Sequence, residues 1–337
     1  MKRYIFFGMI FLLLVACQQE EPVVNMPFPL LMEIPDGFPD IPSTEENEFT
    51  EQRWKLGKHL FFDPIMSVDS SISCASCHQP ELAFSDDIDF SLGVDQRLGT
   101  RNSPSLANVA YHPYLTREGG VPTLEMQVLV PIQEHNEFDF NIVLLAERLQ
   151  ADSMYVQMAL NAYDRQPDPF VITRALACFE RSLLSGNSLY DQHNRGEVSL
   201  SPPALRGKEL FFSERIQCSN CHGGFNFTNY DFANNGLYTN YSDEGRFRLT
   251  GEDQDRAVFK VPSLRNIELS APYMHDGSLS TLEAVIAHYN SGGKEHTNKS
   301  PFLQPLLLNS QEKEDLVAFL KSLTDYSFIE NPIFKQE

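Results

Sequence analysis

Cys74-Ala75-Ser76-Cys77-His78 decides how this chain is read, and Cys218-Ser219-Asn220-Cys221-His222 repeats it. Each pentapeptide is C-x-x-C-H, the attachment signature of a c-type haem. The spacing has a chemical reason. Two cysteines one helical turn apart can form thioethers to the two vinyl groups of one porphyrin. The histidine next in line then reaches the iron, for which neutral imidazole is a common axial ligand. One such motif would leave a zinc half-site or a redox dithiol open. Two motifs with adjacent histidines, in a chain of six cysteines, favour two covalently bound c-type haems. Cys74, Cys77 and His78 hold one; Cys218, Cys221 and His222 hold the other.

The repeat extends outward from the motifs. Leu56-Gly57-Lys58-His59-Leu60-Phe61-Phe62 precedes the first and Arg206-Gly207-Lys208-Glu209-Leu210-Phe211-Phe212 the second. Pro104-Ser105-Leu106-Ala107-Asn108, Gly119 and Thr123-Leu124-Glu125 follow the first. Pro262-Ser263-Leu264-Arg265-Asn266, Gly277 and Thr281-Leu282-Glu283 follow the second, at a constant offset of 158 residues. Two copies of one module are expected. Helical apolar spacing marks 52–62, 138–150, 169–185, 202–212, 281–289 and 311–323, and no stretch alternates as a strand does. The fold class is therefore all-α, with a boundary in the Gly-, Asn- and Pro-rich stretch 186–201.

The chain has 337 residues, enough for two ordinary domains, and a net charge of −20. Nucleic acid is excluded as a partner, since phosphate binding needs a basic face. An acidic surface suits a basic soluble protein through steering, or simply solvates an exported one. Lys2 and Arg3 followed by the apolar run 4–15 read as a targeting segment too short to span a membrane. It ends Leu14-Val15-Ala16-Cys17, which resembles a bacterial lipobox and implies lipidation of Cys17 and a membrane anchor. Residues 17–48 read as a tether. Cys178 shares an apolar face with Leu176, Phe179 and Leu183, as a buried inert thiol does.

Over roughly residues 50–325 the chain resembles the bacterial di-haem cytochrome c peroxidases and their relative MauG. The resemblance rests on the two haem motifs, Arg101-Asn102-Ser103-Pro104, Gln127 with Glu137, and the run from Pro262 through Pro272-Tyr273-Met274-His275-Asp276-Gly277. It implies two cytochrome c-like domains whose haems face each other across the interface. Residues 1–16 are then a lipoprotein-type signal, 49–190 an N-terminal peroxidatic haem domain and 191–337 a C-terminal electron-transfer haem domain. A homodimer is compatible with the family.

The resemblance also assigns roles. Many relatives fill the sixth position of the first iron with a histidine from the loop after the motif. Residues 79–111 contain none, so an open or water-bound iron is expected, as in MauG, with His112 the nearest alternative. Gln127 and Glu137 match the distal pair that handles peroxide; as bare residues they read equally as a helix-surface amide and the first-turn acid of a helix from 138. The second iron is expected to take Tyr289 opposite His222, with His288 and Met274 competing. In the repeat Tyr289 corresponds to Pro131, which cannot ligate. Arg117 stands where relatives place a tryptophan between the haems, and Trp54, the only tryptophan, reads as core. Tyr111, Tyr114 and Tyr273 are possible substitutes. A calcium ion is implied on the Asn102 side chain and the Ser270 and Pro272 carbonyls, oxygen donors that suit a hard cation. Arg101, Arg246 and Arg265 are candidate partners of haem propionates.

Three functions fit these residues. The leading one is an exported peroxidase that reduces hydrogen peroxide with electrons from a small cytochrome c-like donor. The others are a MauG-like oxidase that modifies a partner protein and a non-enzymatic electron-transfer cytochrome.

Overall fold

Local chemistry starts the longer helices. The structure, a computed structural model, describes residues 31–42 and 46–336; Cys17, the signal segment and most of the tether lie outside them. Thr50 caps α1 (Glu51–Phe62) by accepting from the Arg53 N–H, which pairs one of the free donors of a first turn. Asp168-Pro169 and Ser201-Pro202 open α6 (Pro169–Arg181) and α8 (Pro202–Phe211), with proline where no N–H is needed. The first module also contains α2 (Leu124–Gln127), α3 (Leu129–Gln133), α4 (Ile142–Gln150) and α5 (Ser153–Tyr163). The second adds α7 (Leu189–Asn194), α9 (Phe247–Thr250), α10 (Leu282–Asn290) and α11 (Ser310–Lys321); α12 (Tyr326–Ile329) follows. A two-residue antiparallel pair, β1 (Phe232–Ala233) with β2 (Phe259–Lys260), is the one small exception to the helical reading among the described residues.

The repeat is a repeat of packing. In the first module α1 crosses α6 and in the second α8 crosses α11, and each crossing is made at a glycine. A Cβ on Gly57 would sit 1.9 Å from Ala175 O, and one on Gly207 would sit 1.9 Å from Asp315 O. Phenylalanines complete each crossing: Phe61 meets Phe179 at 5.0 Å between ring centroids, and Phe211 meets Phe319 at 5.1 Å. The asparagines that end P-S-L-x-N lock each turn to the end of the closing helix. Asn108 N–H donates to Leu183 O and Asn108 Oδ1 accepts from Ser185 N–H; Asn266 does the same with Leu323 O and Asp325 N–H. Both hold a left-handed backbone, at φ 60° and 57°, where asparagine is the best side chain after glycine.

Several boundaries differ from the sequence expectation. The helix expected from Phe138 begins at Ile142, because Asp139 is left-handed (φ 50°) and Asn141 caps the Val143 and Leu144 N–H groups. The helix expected to reach Ser185 stops at Arg181, and the freed chain bends to meet Asn108. Residues 31–42, read as tether, are docked: Leu31 is buried, Phe38 lies edge-on to Tyr111 and Phe225, and Tyr111 donates to Pro39 O. A break at 190/191 would cut α7, whose Tyr190 packs on Phe227 and Phe319 of the second module. Phe328 and Phe334, near the C-terminus, return to the first module's core against Phe84.

Candidate active site

Each C-x-x-C-H motif sits on a single turn, Cys74–Ser76 or Cys218–Asn220. The carbonyl of the first cysteine accepts from both the second cysteine and the histidine, so two thiols and an imidazole are held within one turn. Burial pushes the Cys77 thiol up to about 11 and Cys218 to about 12, and raises Cys74 and Cys221 as well. Zinc-binding or redox cysteines need the opposite shift, toward thiolate. Among the described residues, no three His, Cys, Asp or Glu side chains converge as a bare-metal site. The two C-x-x-C pairs are not halves of one zinc centre.

Both histidines are oriented through Nδ1. His78 Nδ1 lies 2.8 Å from Phe84 O, and Ser103 Oγ is 3.3 Å away. Ala83 and Phe84 are consecutive left-handed residues, a kink that turns the Phe84 carbonyl inward. His222 Nδ1 lies 3.3 Å from Phe227 O and 3.2 Å from Pro262 O. With Nδ1–H donating to carbonyls, Nε2 presents its lone pair, the tautomer that ligation requires. The turn serine holds the same arrangement in place, Ser105 Oγ donating to Ala83 O and Ser263 Oγ to Asn226 O.

Gln127 and Glu137 come from one folded unit. Pro131 has no N–H for the Gln127 carbonyl, and the helix that runs unbroken in α10 is split here into α2 and α3. The chain then turns back, with Phe138 N–H donating to Pro131 O and Phe140 N–H to Ile132 O. Gln127 Oε1 is buried and takes part in no hydrogen bond. Glu137 is pushed up to about 7, by burial first and then by the charge of Glu134. Its charge is among the smaller influences that raise the Cys74 and Cys77 thiols, after their burial. Gly93 packs where a Cβ would meet Asn136 O at 2.1 Å, and Val94 N–H fixes Glu137 O at 3.0 Å.

Burial pushes the phenol of Tyr289, in α10, up to about 12; a hydrogen bond with Asn235 opposes that rise, and the charges of Cys221 and Cys218 add to it. The two competitors also meet Asn235. His288 Nε2 lies 2.9 Å from Asn235 O, and Met274 Sδ accepts from Asn235 Nδ2 at 3.1 Å. His112 Nδ1 lies 2.8 Å from Lys260 Nζ, and that neighbour and burial push the imidazole well below its usual range. Trp54 is core, donating to Ser182 Oγ. Tyr111 and Tyr273 are buried with their hydroxyls on carbonyls, and Tyr114 is exposed.

A family model described as di-haem cytochrome c peroxidase matches residues 51–199, and one described as cytochrome c matches 204–324. The methylamine utilization protein MauG of Methylorubrum extorquens is 36% identical over 288 residues, covering 84% of this chain and 81% of that protein. The chain belongs to the di-haem cytochrome c peroxidase family. The cytochrome c551 peroxidase of Nitrosomonas europaea is 32% identical over 80% of this chain and 79% of its own length. A solved MauG-like protein associated with microbial copper homeostasis superposes with a TM-score of 0.86 at 34% identity, covering 90% of this chain and 98% of that one.

As a di-haem peroxidase the chain carries two c-type haems, and its residues fit them. The thiols sit in apolar surroundings, and each histidine offers Nε2. Among the described residues, two cations at the junction of the modules lack a carboxylate partner in their hydrogen bonds. Arg117 donates only to Asn102 oxygens, and burial with Arg101 pushes it down to about 10. Lys260 meets only His112 Nδ1 and Tyr114 O, and burial with Arg117 pushes it down to about 7. Propionates are the chemical complement of such groups. Sequence reading missed Lys260, although it is the repeat partner of Asn102. The propionate candidates fare differently: Arg101 is clamped by Asp243 and Glu118 and Arg265 by Asp191, while Arg246 donates to Glu118 O. A calcium ion fits less well, because Asn102 Oδ1 already accepts from Arg117 at 2.9 Å.

Covalent attachment has a direct readout. The exported protein's intact mass should equal the processed chain plus two haems, resistant to acid-acetone extraction. A mass with one haem or none would overturn the assignment of both motifs.

Proposed function

We propose that this chain is an exported peroxidase that reduces hydrogen peroxide to water with electrons from a small cytochrome c-like or similar donor. The proposal is supported by a buried amide oxygen without a hydrogen bond, Gln127 Oε1, and by a carboxyl on the same folded unit that burial pushes up to about 7, Glu137. A bound haem supplies an iron that takes peroxide and changes oxidation state. The chain supplies the rest. Gln127 Oε1 accepts a hydrogen bond from the peroxide O–H and orients it. Glu137 takes a proton from the inner oxygen and returns it to the outer one, so that water leaves. Reaction of one peroxide consumes two electrons and two protons and yields two waters. A group titrating near the working pH suits this two-way transfer.

Cys74, Cys77 and His78 would hold the peroxide-reacting haem, and residues 79–111 offer no further histidine to it. Cys218, Cys221, His222 and Tyr289 would hold the electron-entry haem. Tyrosinate is a hard anion that favours ferric iron, so it would set a lower potential than a methionine would. Anchoring through lipidated Cys17 would keep the enzyme at a membrane surface; among the described residues no helix is long and apolar enough to cross one.

The decisive assay mixes the holoprotein with peroxide and a reduced cytochrome donor. Peroxide-dependent donor oxidation is expected, and its absence would favour a plain electron carrier. The as-isolated ferric protein should show one high-spin and one low-spin haem and bind cyanide without prior reduction. Two low-spin signals, with activity only after partial reduction, would reveal a sixth ligand on the first iron. The identity with MauG and the placement of Tyr289 favour a second reading, an oxidase acting on a partner protein; Arg117 in the bridging position counts against it.

A further inference from the structure

The seam between the modules is built by exchange. Asn102 N–H donates to His275 O at 2.9 Å, and Lys260 N–H donates to Arg117 O at 2.7 Å. Asn102 pairs with Lys260 in the repeat, and Arg117 with His275, each at the offset of 158. The two bonds are therefore one contact made twice, related by the repeat. At this seam the Asn102 amide is fixed at both ends. Its Nδ2 donates to Ile88 O at 3.2 Å, and its Oδ1 accepts from Arg117 Nη2 at 2.9 Å. The same Nη2 donates to Asn102 O at 2.8 Å, with Nε at 3.3 Å.

These contacts conflict with a calcium ion. Calcium takes about six to eight oxygens at roughly 2.3–2.6 Å. An ion on Asn102 Oδ1 would share that oxygen with a guanidinium and bring a divalent charge against a fixed positive one. The neighbouring carboxylates that would offset the repulsion are committed: Asp243 and Glu118 hold Arg101, and Asp276 accepts from Tyr238. We propose that Arg117 is the resident cation of this seam and that the protein joins its modules without calcium. A guanidinium suits the place. It is permanently charged, its planar fork meets two oxygens of one residue together, and it is weakly hydrated. The inference concerns the seam; because Arg117 is also a candidate partner of a haem propionate, the haem content of each variant is measured before its midpoint is compared with that of wild type.

Metal analysis of the holoprotein after dialysis tests it first. Calcium is expected at well below one ion per chain, and EGTA should leave the absorption spectrum, electron paramagnetic resonance spectrum and thermal midpoint unchanged. One calcium per wild-type chain, whose removal shifts any of these, would overturn the proposal. The second arm uses Arg117→Ala, which frees both Asn102 oxygens. Its thermal midpoint should fall by roughly 4–8 °C, given the size of charge-assisted hydrogen bonds. Millimolar calcium chloride should restore part of that loss, while wild type ignores it. Magnesium, which demands a tight octahedron, should not substitute. A variant with the wild-type midpoint, with or without calcium, would show that Arg117 does not hold the seam. Should Arg117→Ala fail to accumulate, Arg117→Gln removes the charge while keeping a polar side chain, and the same outcomes apply.

Discussion

Glu137→Gln slows peroxide reduction by at least about a hundredfold while leaving both haem spectra as in wild type. The substitution keeps the size and polarity of the side chain and its half-buried place, with the main chain still pinned through Val94 N–H. It removes only the ability to take and return a proton. Positioned acid–base groups are typically worth ~10²–10⁴-fold, which sets the floor. Because burial pushes Glu137 up to about 7, the form that accepts the proton grows as pH rises through that value. The wild-type peroxide step should therefore accelerate from about pH 6 to about pH 8, and the variant should lose that rise. Gln127→Ala should cost about tenfold at most, since it removes one neutral hydrogen bond of ~0.5–1.5 kcal/mol. Rapid mixing with peroxide alone keeps donor docking out of the measurement. A Glu137→Gln protein that consumes peroxide at the wild-type rate would sink the assignment.

Some of this was legible in sequence because chemistry demands contiguous residues. A c-type haem needs two thiols and an imidazole on one turn, so C-x-x-C-H is local and specific. The repeat was legible because each module solves the same packing problem with the same residues: a crossing glycine, a phenylalanine behind it and a left-handed asparagine. The distal pair was less so. Gln127 and Glu137 are ordinary residue types, and their proposed role rests on the turn between them, which the sequence does not spell out. Pro131 splits the helix after Gln127, and the chain folds back through Phe138 N–H on Pro131 O and Phe140 N–H on Ile132 O. The seam was the least legible. Arg117 reads as a lost tryptophan, and Lys260 carries no local signal at all, until the two modules are placed against each other. Long-range returns were invisible for the same reason: nothing local says that Phe328 and Phe334 will pack on Phe84.

Gly207→Ala should be strongly destabilising, and its sign is the informative part. In an open helix interior alanine is favoured over glycine by ~1 kcal/mol, so on propensity alone the change would stabilise α8. Here the new methyl would lie 1.9 Å from Asp315 O, 2.5 Å from Asp315 C and 2.8 Å from Phe319 Cβ. Two of those atoms are backbone of α11 and cannot rotate away. The helices must separate by more than an ångström, which loosens Phe211 against Phe319 and strains the Arg206 fork on Asp315. Overpacking of this kind costs ~1–3 kcal/mol or more, a fall of roughly 5–10 °C in thermal midpoint. Gly57→Ala should do the same against Ala175 O in the first module. Circular dichroism melts of holoprotein with both haems attached would measure each. An unchanged or raised midpoint in either variant would mean that the crossing is looser than the structure makes it. The two falls should be alike, because Ala175 and Asp315 occupy one place in the repeat.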